Sequence, residues 1–150
     1  MVNQTVSMAS VAGKQPSLRR AIAAGAITLG SAFDAVVNGT LAKGNALQIA
    51  EIAAIQGAKK TPDLLPLCHP LGLNRVWLRW THDETKGAVT AFSMAEVFAK
   101  TGVEMEALAA VSSALLCVWD LAKPVEPDLA IDGIQLLYKS GGKKGIWQPN

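Results

Sequence analysis

Neither aspartate nor glutamate occurs in the first 33 residues, and the whole chain of 150 residues has only two cysteines, two histidines and one tyrosine. Each scarcity excludes something. Cys68 and Cys117 cannot make a disulfide framework, and no CxxC or HxxxH spacing is present, so a structural zinc module is excluded and no metal site is expected. Charged residues make up 17% of the chain, against about 25% in an average soluble chain. The net charge of +2 is scattered in pairs instead of gathered in a stripe, so nucleic acid is not an expected partner. No apolar run approaches the roughly 20 residues of a membrane span, so no membrane partner is expected either. Two lone thiols suit a reducing cytoplasm. The acid-poor start, with Lys14, Arg19, Arg20 and several serines, has the composition of an organelle transit peptide, a competing expectation for that stretch.

What is present is apolar: half of all residues. A single subunit would leave much of that surface in water, which favours an oligomer. The length fits one domain, residues 1–150, with 1–7 and 146–150 expected to be flexible. Met1 to Gln15 reads as irregular. Pro16 and Ser17 open a short helical stretch through Arg20 and Ala24 that Gly25 ends, and "AITL" follows as a short strand. "SAFDAVVNG" offers Ser31 as an N-cap and Gly39 as a stop. A longer helix is expected from Ala46 to Lys60, broken by Thr61-Pro62. "NRVWLRWTHD" and "GAVTAFSMAEVF" alternate in period two around a "DETKG" turn and read as a hairpin. Leu108, Val111, Leu115, Val118 and Ala122 form one helix face between Val103 and Lys123, Pro124 ends that helix, and "AIDGIQLLYKS" is a last strand. The expected fold is therefore α+β, a ferredoxin-like split βαβ, with an antiparallel sheet and helices packed on one face.

Four groups of residues have the types that chemistry needs. In "LPLCHPL", Leu65 to Leu71, adjacent Cys68 and His69 cannot both point at one ligand from an extended loop. Cys68 reads as a small buried thiol or a nucleophile, and His69 as a packing residue or an imidazole fixed in a turn; the residues alone leave both open. Glu104 and Glu106 stand at a helix entry, where they either complement the dipole or form a carboxylate pair. Asp120 and Lys123, three apart, lie on one helix face away from the apolar stripe, as a surface pair or as a carboxylate orienting an amine. In "LYKSGGKKG", Lys139, Lys143 and Lys144 with three glycines suit a phosphate or a solvated tail.

Together, "GAKKTPDLLPLCHPL", "KTGVEMEALAAVSSALLCVWDLAK" and "LLYKSGGKKG" resemble the cyclic pyranopterin monophosphate synthase family, the C proteins (MoaC) of the early molybdenum-cofactor pathway, in order and spacing from about Met8 to Gly145. The resemblance extends into the acid-poor start and so argues against a transit peptide. It implies a homohexamer, a trimer of dimers, with active sites where subunits meet. The implied substrate is a small nucleotide-derived molecule, the cyclised dihydro-GTP made by the pathway's radical enzyme, and the implied products are cyclic pyranopterin monophosphate and pyrophosphate. The matching positions imply Asp120 and Lys123 as the catalytic carboxylate-lysine pair, with Lys43 and His69 also catalytic. Cys68, Glu104, Met105, Glu106, Lys139 and Arg19 are implied to bind substrate, the glutamates at the purine end and Arg19 at the phosphates. No bound cofactor is implied, and Mg²⁺ enters only with the substrate triphosphate. The sequence departs from the family pattern at Ser10 and Asn45, where acids are usual, and at Leu41 and Ala42, where histidines are usual. Those departures are what a non-catalytic oligomeric paralogue, binding a nucleotide or a pathway partner, would show.

Overall fold

The computed structural model describes residues 5–150, and it departs most from the expected elements at the start of the sheet. The short helix expected from Pro16 to Ala24 is not formed: Ser17–Thr28 is one continuous strand, β1. Pairing on both edges overrides the helical preference of its alanines. β1 lies antiparallel to β3 (Ala88–Ala99) on one side and to β4 (Ala130–Ser140) on the other. Its small residues are needed because a helix lies close above it. At Gly25 a Cβ would come within 2.9 Å of Val111, Leu115 and Ile134. Period two then separates two neighbouring arginines: Arg19 shares the helix-facing side with Ala21, Ala23 and Gly25, and Arg20 points to the open face, where Glu96 meets it at 2.6 Å.

The hairpin forms as expected from β2 (Arg75–Asp83) and β3. The strand order is β2-β3-β1-β4 and every neighbouring pair is antiparallel, the ferredoxin-like arrangement. The short helix α1 (Phe33–Val37) follows a 3-10 turn at Gly30–Ala32. Ser31 is not its N-cap. The Ser31 hydroxyl and amide instead both donate to Glu126 Oε2, at 2.8 and 3.3 Å, tying this turn to the loop before β4.

α2 (Ala46–Lys59) is capped by Asn45, whose Oδ1 accepts from the Gln48 amide at 3.2 Å. Thr61-Pro62 ends α2 but does not leave the chain irregular, because Thr61–Leu64 forms one more helical turn, α3. α4 (Glu104–Ala122) buries Val111, Leu115, Val118 and Ala122 as its stripe demands, while Leu108 is only half-buried; Ala107, Ala110 and Ala114 fill the rest of that face. By length and composition α4 could cross a membrane, but half of that stretch is buried inside the domain. It is the core helix. Where α2 crosses α4, a Cβ on Gly57 would strike Ser113 and lie 3.0 Å from the Ala109 carbonyl oxygen. The charged residues of interest collect at the two ends of α4.

Candidate active site

At the N-terminal end of α4, Glu104 and Glu106 occupy the first turn. Lys139 reaches across from β4, its Nζ donating to Glu104 Oε1 at 2.9 Å. Burial pushes the Glu104 carboxyl upward, but the Lys139 hydrogen bond, its own amide and the charges of Lys139 and Arg19 outweigh that and hold it below the ordinary carboxylate value. Glu106 is only 3% exposed. Burial raises it, its own backbone amide offsets part of that, and the Glu104 charge adds to the rise.

The "LPLCHPL" segment lies close enough to this turn for the Glu106 charge to act on Cys68. Leu65 to Cys68 is a tight turn with Pro66 second, where a φ near −65° is required, and the Cys68 amide donates back to the Leu65 carbonyl at 3.1 Å. Burial, with the Glu106 charge behind it, raises the Cys68 thiol, so the thiolate that a nucleophile needs is disfavoured. His69 follows, half-buried, in the extended stretch before Pro70. Met105 stays 40% exposed on the outer side of α4.

A cavity of about 830 Å³ opens beside Glu104 and Lys139, with Lys14, Arg19 and the loop Gly141–Gly145 among its walls. That is within the usual size range of small-molecule sites. Gly141 and Gly142 have φ of +98° and +74°, and a Cβ on Gly142 would strike the Arg19 guanidinium. Only glycine permits both the turn and this approach to the guanidinium. Arg19 Nε is buried without a hydrogen-bond partner among the described residues. Cationic side chains and an unpartnered guanidinium N–H make this end suited to an anion.

The C-terminal end of α4 is built differently. Lys123, at the C-cap, places Nζ 2.7 Å from Asp120 Oδ1, and Lys43, from the short turn between Leu41 and Gly44, places Nζ 3.6 Å from Oδ2. The Lys123 hydrogen bond, its charge and that of Lys43 hold Asp120 below the usual carboxylate range. All three side chains are about half exposed, above a shallow hollow lined by Leu116, Trp119 and Ile131. One ionised carboxylate thus orients two ammonium groups toward open space.

The expected residues therefore fall into two sets. Arg19, Cys68, His69, Glu104, Met105, Glu106 and Lys139 gather at one end of α4, and Lys43, Asp120 and Lys123 at the other. From Glu104 to Asp120 the helix rises about 24 Å at 1.5 Å per residue, so one subunit does not bring the sets together. Lys14 joins the first set without any spacing signal in the sequence; only the fold of β1 brings it there. Among the described residues, no three His, Cys, Asp or Glu side chains are gathered as metal ligands.

The family model described as the MoaC family matches residues 8–142. This chain belongs to the MoaC family. The matched segment spans the charged residues named above, from Lys14 and Arg19 to Lys139, so both charged ends of α4 lie inside it. MoaC-family proteins are molybdenum cofactor biosynthesis enzymes, and that is the process in which this chain takes part.

Proposed function

We propose that the protein converts the cyclised dihydro-GTP intermediate to cyclic pyranopterin monophosphate with release of pyrophosphate, a lyase reaction carried out in the cytoplasm. The observation that carries this reading is the Lys43–Asp120–Lys123 group, in which a carboxylate holds two amines in place for proton transfer. The reaction opens the purine ring, closes a pterin ring and turns a triphosphate into a cyclic phosphate. In the last step a substrate hydroxyl oxygen bonds to the α-phosphorus and loses its proton, the bond to the bridging oxygen breaks, and that oxygen leaves with pyrophosphate. Lys123 serves as general acid or base with Asp120 setting its orientation. Lys43 and His69 assist proton transfer, Arg19 and Lys139 hold phosphate charge, and Glu104 with Glu106 hydrogen-bond the heterocycle beside Cys68 and Met105. No bound cofactor is required, and Mg²⁺ accompanies the triphosphate.

The 24 Å gap estimated from helix rise supports a site shared between two subunits. Met105, Leu108, Ser112, Leu116 and Trp119 follow one another as a stripe along one side of α4, with Met105 and Leu116 exposed and Leu108 and Trp119 partly buried at the edge of the core. The stripe is nearly symmetric about Ser112. An antiparallel copy of α4 laid on it pairs Leu108 with Leu116 and Met105 with Trp119, and brings the Glu104 end of one subunit to the Asp120 end of the next. Such two-fold pairs repeated three times make the trimer of dimers. The working partner of the chain is then a second copy of itself, with the radical GTP-cyclising enzyme supplying the substrate.

Of the two lost acids, Asn45 keeps the capping role an aspartate would have had on α2, so its loss does not argue against activity. The test supplies cyclised dihydro-GTP and measures pyrophosphate and pterin together. Wild-type protein is expected to yield both, and Lys123→Ala neither, with the oligomer intact by native mass spectrometry. Tight binding without product in the wild type would support the non-catalytic paralogue, and product from Lys123→Ala would remove Lys123 from its role.

A further inference from the structure

The family match ends at Gly142, but the chain beyond it turns back on the cavity. Lys139 and Trp147 form an isolated antiparallel bridge. The Lys139 amide donates to the Trp147 carbonyl at 3.0 Å and the Trp147 amide to the Lys139 carbonyl at 2.9 Å. The expected flexible tail is thus tied down at this residue. In a mutually bonded antiparallel pair the two side chains stand on the same face of the ladder. Lys139 uses that face to reach Glu104, so the ladder directs the Trp147 side chain to the same face as the Lys139–Glu104 pair. Lys139 and Gly145 line the cavity on either side of the loop, and Trp147 follows two residues further on, just outside that lining.

Trp147 is 42% exposed, although two backbone hydrogen bonds hold its main chain. We propose that Trp147 is a substrate-binding residue that stacks on the heterocycle of the nucleotide-derived substrate, while Glu104 meets the ring edge and Arg19 the phosphates. The three groups divide the ligand by chemistry: an aromatic face for the ring, a carboxylate for its N–H groups, and cations for its anionic tail. This assignment rests on the proposed function for the nature of the ligand. It adds a determinant of ring recognition that lies outside the matched segment.

Calorimetric titration of the full-length oligomer tests it with two probes, GTP, which carries a purine, and inorganic tripolyphosphate, which does not. Trp147→Leu keeps apolar bulk without an aromatic face, and Trp147→Phe keeps the face. Stacking predicts that Trp147→Leu binds GTP weaker by on the order of tenfold, that Trp147→Phe stays within a few-fold of wild type, and that tripolyphosphate binding is unchanged in both. Equal losses for GTP and tripolyphosphate, or a Trp147→Leu protein that binds GTP like wild type, would overturn the stacking role alone. Wild-type protein that binds neither probe would overturn this assignment and the proposed substrate class together.

Discussion

Glu104 and Glu106 stand two residues apart in one helical turn and are shifted in opposite directions, and the difference comes from what each faces. Glu104 meets Lys139 and Arg19 and is held low; Glu106 is enclosed and is raised. Their contributions to stability therefore have opposite signs against pH. The lowered Glu104 contributes stability above the unfolded value of 4.5, and that contribution is lost as pH falls through its folded value below 4.5. The raised Glu106 costs stability at neutral pH, and the cost fades as pH falls through its raised value toward 4.5. Thermal melts of Glu106→Gln should show a higher melting temperature than wild type at pH 7 and a shrinking difference toward pH 4.5. Glu104→Gln should lie below wild type at pH 7, the gap closing only at still lower pH. A constant offset across that range for either variant would contradict the assigned surroundings. In the sequence the two acids look alike, because burial and the partners across β1 and β4 have no signature within the helix itself.

Among the elements, β1 and the α2–α4 crossing show how far pattern carries. The hairpin, α2, α4 and β4 were legible because each has a clear period and clear stops. β1 was misread because its small residues satisfy a helix locally, and only pairing with β3 and β4 decides otherwise. The crossing of α2 over α4 depends on Gly57, whose missing side chain leaves room for Ser113 and the Ala109 carbonyl. Valine at Gly57 is expected to destabilise the domain by about 1–3 kcal/mol, the usual cost of overpacking, read from urea unfolding. Ser113→Gly added to that variant should recover part of the loss. Because α2 packs on α4 at Ala109 and Ser113, a shift there would displace α4 and its ends, so Gly57→Val should also weaken whichever function the ends share, even where the protein remains folded.

For the whole molecule, the decisive geometry is that the two charged ends of one helix cannot meet within one subunit. Two inactive variants then become informative in mixture. Lys139→Ala damages the Glu104 end and Lys123→Ala the Asp120 end, so under the proposed shared site a mixed two-fold pair would hold one doubly damaged and one intact site. Co-refolding equal amounts should restore roughly a quarter of the wild-type sites, the share expected from random symmetric pairing. No recovery would place a complete site in each subunit. Ser112→Cys offers a second check: a cysteine at the centre of the stripe is expected to form an intersubunit disulfide under mild oxidation, and a chain that stays monomeric in denaturing gels would rule out the antiparallel arrangement of α4.

Much of the candidate site was legible in the order of its residues. The Asp120–Lys123 pair follows from helical spacing, and the turn that carries His69 follows from Pro66, because both depend on neighbours within a few positions. The sequence by itself therefore determined the α+β class, the hairpin, the two long helices and the identities of the charged groups. Tertiary structure alone decided that Arg19 lies on the helix-facing side and Arg20 pairs with Glu96 on the other, that Lys43 reaches Asp120, that Trp147 returns to Lys139, and that the two ends of α4 stand apart. Those facts depend on contacts between residues tens of positions apart, which no local period encodes: strand pairing sets which way an arginine points, and helix rise sets how far two carboxylates are held from each other.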